Sequence, residues 1–141
     1  MRKFLVLILL LLIATKTAAV LLEGPVPIQR DAFGYWKLSA LVMQGDLLML
    51  QDPIAYRTPI YPWFLAILRV LSGSHTLQIL AVIQGLFSMG SLIIAASIAA
   101  RITKLPKAFG LTLVVSLPIV SSLVFDAAVL SESMFIFLFM L

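Results

Sequence analysis

The sequence predicts an all-α, polytopic membrane protein, on three observations. Of its 141 residues, 62% are hydrophobic, and the mean hydropathy is +1.15. Only 11% are charged, against roughly 25% in an ordinary soluble domain. Apolar runs of membrane-crossing length alternate with segments that hold nearly all the charge. A water-soluble globule of this size could not cover so much apolar surface, which excludes soluble, secreted, disordered and nucleic-acid-binding classes.

The first element is Phe4–Leu22, an apolar run of 19 residues behind Arg2 and Lys3. At about 1.5 Å per residue it reaches roughly 28 Å, close to the ~30 Å hydrocarbon core. Lys16 interrupts it toward the far end, where a lysine can snorkel to the interface. A cleaved signal peptide is the alternative; Lys16 and the further apolar runs favour an uncleaved span.

Residues 23–74 form a long outer loop with structure of its own. Asp31–Gln44 reads as a helix, with Asp31 as N-cap and Gly45 as its stop. Its apolar positions Phe33, Trp36, Leu38, Leu41 and Val42 place it at the interface or against spans. A second short helix begins near Pro59–Pro62 and runs to Leu71, ending at Ser72-Gly73. Tyr56, Tyr61 and Trp63 suit an aromatic belt at headgroup level.

Leu77–Ala100 is an uncharged run of 24 residues, long enough to cross. Ala108–Phe125 is a third span, with Pro118 able to kink it. A fourth apolar run opens at Ser131 or Met134 and reaches Leu141. Eight residues from Met134 cannot cross a bilayer, so the chain is expected to be the front part of a longer protein.

Charge placement gives the orientation. With the N-terminus in the cytoplasm, Arg2, Lys3, Arg101, Lys104 and Lys107 lie inside and no acid does. These acid-free basic segments are read as inside by the positive-inside rule, with Arg30, Lys37, Arg57 and Arg69 left in the outer loop. All six acids (Glu23, Asp31, Asp46, Asp52, Asp126 and Glu132) then lie outside.

The absence of cysteine excludes disulfides, thiolate metal sites and thiol nucleophiles. His75 is the single histidine, so no multi-histidine metal site exists, and the absence of asparagine removes any N-glycosylation acceptor. What remains for chemistry is acids, arginines and tyrosines. Asp31 has Tyr35 one turn on, on the same helix face. A carboxylate there could take a proton from a hydroxyl acceptor or hold a divalent ion, or simply open its helix. Arg57-Thr58-Pro59-Ile60-Tyr61-Pro62 combines a stiffened helix start with a guanidinium fork suited to phosphate. The plainer reading makes Arg57 and Arg69 headgroup anchors. Ser131 reads as an N-cap, and Glu132 behind it either complements a helix N-terminus or marks a site at a span mouth. Asp46, Asp52 and Asp126 read as solvated, His75 as interfacial, and the Phe135–Phe139 stripe as lipid-facing or packing.

These motifs in order (Asp31-Ala-Phe-Gly-Tyr35 with Leu38 and Gly45, the Arg57–Ala66 stretch, Gln84-Gly85, Pro118, and Leu130-Ser131-Glu132-Ser133) resemble the N-terminal part of GT-C membrane glycosyltransferases. The likeness is to the protein mannosyltransferase, aminoarabinose transferase and Rgt-type branch, glycosyltransferase family 39 and relatives. It covers nearly the whole chain. It implies a partial GT-C helical bundle in the cell envelope that takes sugar from a polyprenyl-phosphate donor. The sugar passes to a lipid, glycan or protein acceptor on the outer face, with inversion. It implies catalytic roles for Asp31 and Glu132, either as base or as ligands of a possible divalent metal. It places Arg57 near the donor phosphate, with Tyr35, Tyr61 and Arg69 as further substrate contacts. Many members carry a second acid beside the first-loop aspartate; here Arg30 and Ala32 flank Asp31. A transporter fragment and a small non-enzymatic membrane protein are the competing readings. Transporters place ionisable or broken-helix elements near the midplane, whereas the later runs here lack charge.

Overall fold

The computed structural model describes residues 7, 10, 11, 14, 18, 28, 31–52, 58–116 and 128–141. Within these it is helical, with no strand. The elements are α1 (Asp31–Met43), α2 (Ile60–Ser72), a 3₁₀ turn (Gly73–His75), α3 (Thr76–Thr103), α4 (Pro106–Ser116) and α5 (Glu132–Met140). Ahead of them Leu7, Leu10, Leu11, Ala14 and Ala18 are helical and exposed; the rest of the expected first span lies outside the described residues. So do Tyr56, Arg57, Pro118, Asp126 and the second half of the expected third span.

The run Ile60–Thr103 spans 44 residues and is long and apolar enough to cross a membrane. It is not one rod. In a straight helix, Phe64 and Phe87 would stand about 35 Å apart. Their ring centroids are 6.2 Å apart. The chain therefore doubles back within the run, and the 3₁₀ turn is where it does so. Gly73 has φ 52° and ψ −121°, a backbone region that a residue with a Cβ adopts only under strain. Its amide donates to the Arg69 carbonyl, closing the end of α2.

The membrane-crossing candidate is thus α3 alone, at 28 residues. It is the axis of the fold: α2 returns along its first turns, while α4 and α5 both pack on it and α1 packs on α2. Lys104, left-handed at φ 55°, reverses the chain, and Pro106 opens α4 where its missing N–H is not needed.

One buried cluster holds the described part together: Ala32, Tyr61, Leu65, Leu68, Leu80, Val129 and Met134, drawn from α1, α2, α3 and the start of α5. Along α5, Phe137 stacks on Phe87 at 5.3 Å and lies against Gly90 so closely that any Cβ there would overlap its ring. Phe135 packs against the cluster while Phe139 faces outward, so the phenylalanine stripe divides between packing and surface.

Nothing lies within 4 Å of a Cβ added at Gly73, so Gly73→Ala isolates the backbone cost. It should destabilise the folded chain by about 1–3 kcal/mol, read as a lower thermal midpoint in detergent micelles. An unchanged midpoint would mean the reversal does not depend on this conformation.

Candidate functional site

The site forms where α1, α2, α3 and the start of α5 meet. Asp31 is the first residue of α1, exposed, with its charge in the first turn. There a carboxylate complements the exposed N–H groups of the helix. One turn on, the Tyr35 hydroxyl lies 3.1 Å from Ser131 Oγ, either oxygen able to donate. This bond joins residues 96 positions apart. Ser131 stands at the N-cap position of α5, yet its side chain makes no capping bond. The expected cap is therefore corrected: Ser131 Oγ meets the Tyr35 hydroxyl and receives no helix N–H.

A second tie reaches the same segment from the other side. Gln84 of α3, completely buried, donates from Nε2 to the Leu130 carbonyl. In an apolar setting a carbonyl without a donor is costly, so the two ties fix the backbone just before Glu132. Glu132 itself is exposed in the first turn of α5.

Tyr61 packs edge-on against Tyr35, with centroids 4.9 Å apart and an interplanar angle of 81°. Its side chain is fully buried, and burial, with the charges of Glu132 and Tyr35 adding, pushes its hydroxyl far above the ordinary tyrosine range. It therefore stays a neutral phenol. Gln84 is a polar neighbour of Tyr61. Even so, Tyr61 Oη and Gln84 Oε1 are both buried without a hydrogen-bond partner among the described residues.

Arg69 lies in a different setting. Its Nη1 donates to the Trp36 carbonyl at 3.0 Å and to Ser39 Oγ at 2.8 Å. Its guanidinium stacks 4.1 Å from the centre of the Trp36 ring. Partial burial lowers its proton affinity from the ordinary arginine value. This side chain joins α1 to α2, so a phosphate at Arg69 would meet a guanidinium already engaged. Arg57 lies outside the described residues. Among the described residues no group of three or more His, Cys, Asp or Glu gathers in metal-binding range.

Two outer-loop acids keep solvent contact and also gain partners. Asp46, read from the sequence as solvated, accepts hydrogen bonds from the amides of Leu50 and Gln51 at 3.0 and 2.9 Å and builds the turn after α1. Asp52, also read as solvated, pairs with Lys37 at 2.8 Å. Sequence reasoning gave Gln84 no role; its signal was a polar side chain inside an uncharged apolar run, which demands a partner.

Set against known protein families, curated proteins and solved structures, the chain finds no match.

The two tyrosines should separate in stability. Tyr35→Phe removes the Ser131 bond and should cost about 0.5–1.5 kcal/mol, whereas Tyr61→Phe removes a hydroxyl with no partner among the described residues and should be near neutral or stabilising. Thermal midpoints of both variants in detergent check this; an equal loss in each would mean that the Tyr61 hydroxyl has a partner.

Proposed function

We propose that this chain carries the first spans and first outer loop of a GT-C-type membrane glycosyltransferase. In this reading it is a multi-pass protein with its N-terminus in the cytoplasm and the 23–74 loop outside. The donor is a sugar on a polyprenyl phosphate, and the acceptor is a lipid, glycan or protein hydroxyl at the outer face.

The observation that carries the reading is the Tyr35–Ser131 contact. It ties the helix that Asp31 opens to the residue immediately before Glu132, although the two acids are a hundred residues apart in sequence. Two exposed carboxylates, one in the first turn of α1 and one in the first turn of α5 beside the tied Ser131, are the parts this chemistry needs at a membrane rim.

The chemistry follows from the donor. The acceptor oxygen attacks the anomeric carbon as the bond from that carbon to the phosphate oxygen breaks. The polyprenyl phosphate leaves with the electron pair of that bond. The acceptor proton passes to a carboxylate, for which Asp31 is the candidate, and attack opposite the leaving group inverts the anomeric centre. The protein must align the hydroxyl and neutralise charge on the departing phosphate. Arg57 is the candidate for the second task. Glu132 either orients the acceptor or shares a divalent cation with Asp31.

The test is transfer from labelled polyprenyl-phosphate sugars by membranes expressing the complete reading frame. Asp31→Asn should lower turnover by about 10²–10⁴-fold, the usual worth of a general base. Folding should be largely spared, because the side chain is exposed and the change removes only a first-turn charge worth about 0.3–1 kcal/mol. Full turnover in this variant, or no transfer from any such donor by the unaltered protein, would overturn the reading.

A further inference from the structure

With 28 residues α3 is about 42 Å long, well beyond the ~30 Å hydrocarbon core. Some of it must project, and charge locates the part that does not. At one end stand Arg101, Lys104 and Lys107. At the other, Glu132 opens α5 two residues after Leu130, whose carbonyl is held by Gln84. From Gln84 to Arg101 is 17 residues and to Lys104 is 20, or roughly 26–30 Å. That length matches the hydrocarbon core, so its outer edge falls at the level of Gln84 and not at the start of α3.

That level has neighbours. Tyr61 and Phe64 of α2 pack beside Gln84 and Phe87. Trp63, between them in sequence, donates from Nε1 to the Leu47 carbonyl at 2.8 Å. The turn after α1 is thereby drawn to the same level. This turn exposes three leucines: Leu47 at 59%, Leu48 at 70% and Leu50 at 70%. It is also built rather than loose. Met49 is buried with φ at 53°. The amides of Leu47, Met49 and Asp52 bond to carbonyls within the turn, and those of Leu50 and Gln51 bond to the Asp46 carboxylate. Backbone entering an apolar phase must have its polar groups satisfied internally, and five of this turn's amides are so satisfied. Charge stays at its flanks, in Asp46 and in the Lys37–Asp52 pair.

We propose that Leu47, Leu48 and Leu50, with Trp63, form a preshaped wedge that inserts into the acyl chains of the outer leaflet and sets the depth of the α1–α2 layer. The occupant of this apolar surface is bilayer lipid. The proposal needs α3 to cross a bilayer, but it does not depend on sugar transfer.

The chain has no cysteine, so single labels are unambiguous. The full chain, as Leu48→Cys or Leu71→Cys carrying a nitroxide, is reconstituted into phosphatidylcholine vesicles. Relaxation by oxygen, which concentrates in lipid, is compared with relaxation by a water-soluble nickel chelate. At position 48 oxygen should dominate. Leu71, exposed near the projecting start of α3, should respond mainly to nickel. Nickel dominating at 48 would overturn the proposal. So would low access to both reagents, which would mean that another protein surface or a second copy covers the turn. Oxygen dominating at both positions would overturn the assignment of the membrane edge and the proposal with it. Quenching of Trp63 emission by bromine-labelled lipid, measured in Trp36→Phe, gives a second reading without a label and should be strong; its absence would count against insertion.

Discussion

The described structure depends on the break of one long apolar run at Gly73. Without it, Ile60–Thr103 would be a single rod, and its two halves could share no contact. With it, α2 lies on the first turns of α3, and Tyr61, Leu65 and Leu68 meet Leu80 in one cluster. That returning helix is then the surface on which α1 packs. The cation–aromatic stack of Arg69 on Trp36, the edge-on pair of Tyr35 and Tyr61, and the bond from Trp63 to the turn after α1 all join α2 to what precedes it. A positive-φ glycine, with its amide returned to the Arg69 carbonyl, does this at the end of a helix where four carbonyls lack intrahelical partners in any case.

Reversal brings polar groups into an apolar interior, and the fold deals with them unequally. The Leu130 carbonyl receives the Gln84 amide, and Arg69 is satisfied by the Trp36 carbonyl and the Ser39 hydroxyl while it lies over an aromatic face. Tyr61 Oη and Gln84 Oε1 receive nothing among the described residues. A buried unpaired hydroxyl or carbonyl costs roughly 1–3 kcal/mol. The aromatic body of Tyr61 offsets part of this, since it is fully buried against Tyr35 and near Phe64. An apolar residue of equal shape would avoid the cost.

Local chemistry made much of this legible in the sequence. The helix beginning at Asp31, the stop at Gly45, the proline-rich start near residue 60 and the glycine at 73 are signals within a few residues of their effect. What could not be read was every partnership across the chain. Ser131 looked like a cap because caps are local; its actual partner is 96 residues away. In sequence Arg69 reads as a headgroup anchor or substrate contact from its charge alone; the Trp36 ring beneath it is visible only once α1 and α2 are packed. Asp46 looked solvated because nothing in the residue type says that the next amides turn back toward it. The α2–α3 reversal itself lay between these cases. Gly73 announced an end, but a helix end does not state the angle at which the next helix leaves.

The two long-range ties also explain why Glu132 can be exposed and still be well placed. An exposed carboxylate on a free helix end would sample many positions, since the first turn of a nine-residue helix has little of its own stability. Here the two residues before it are each held by a different element, Leu130 by α3 and Ser131 by α1. Two anchors on consecutive residues fix both the position and the direction of the chain as α5 begins. Phe137 against Gly90 and Phe87 fixes the same helix more than a turn further on. With three such points the axis of α5 is set relative to α3, and the α1 end of the Tyr35 tie sets Asp31 against the same frame. In the proposed enzyme, a site made of solvent-facing side chains would require this kind of support, because the acids cannot be held by burial.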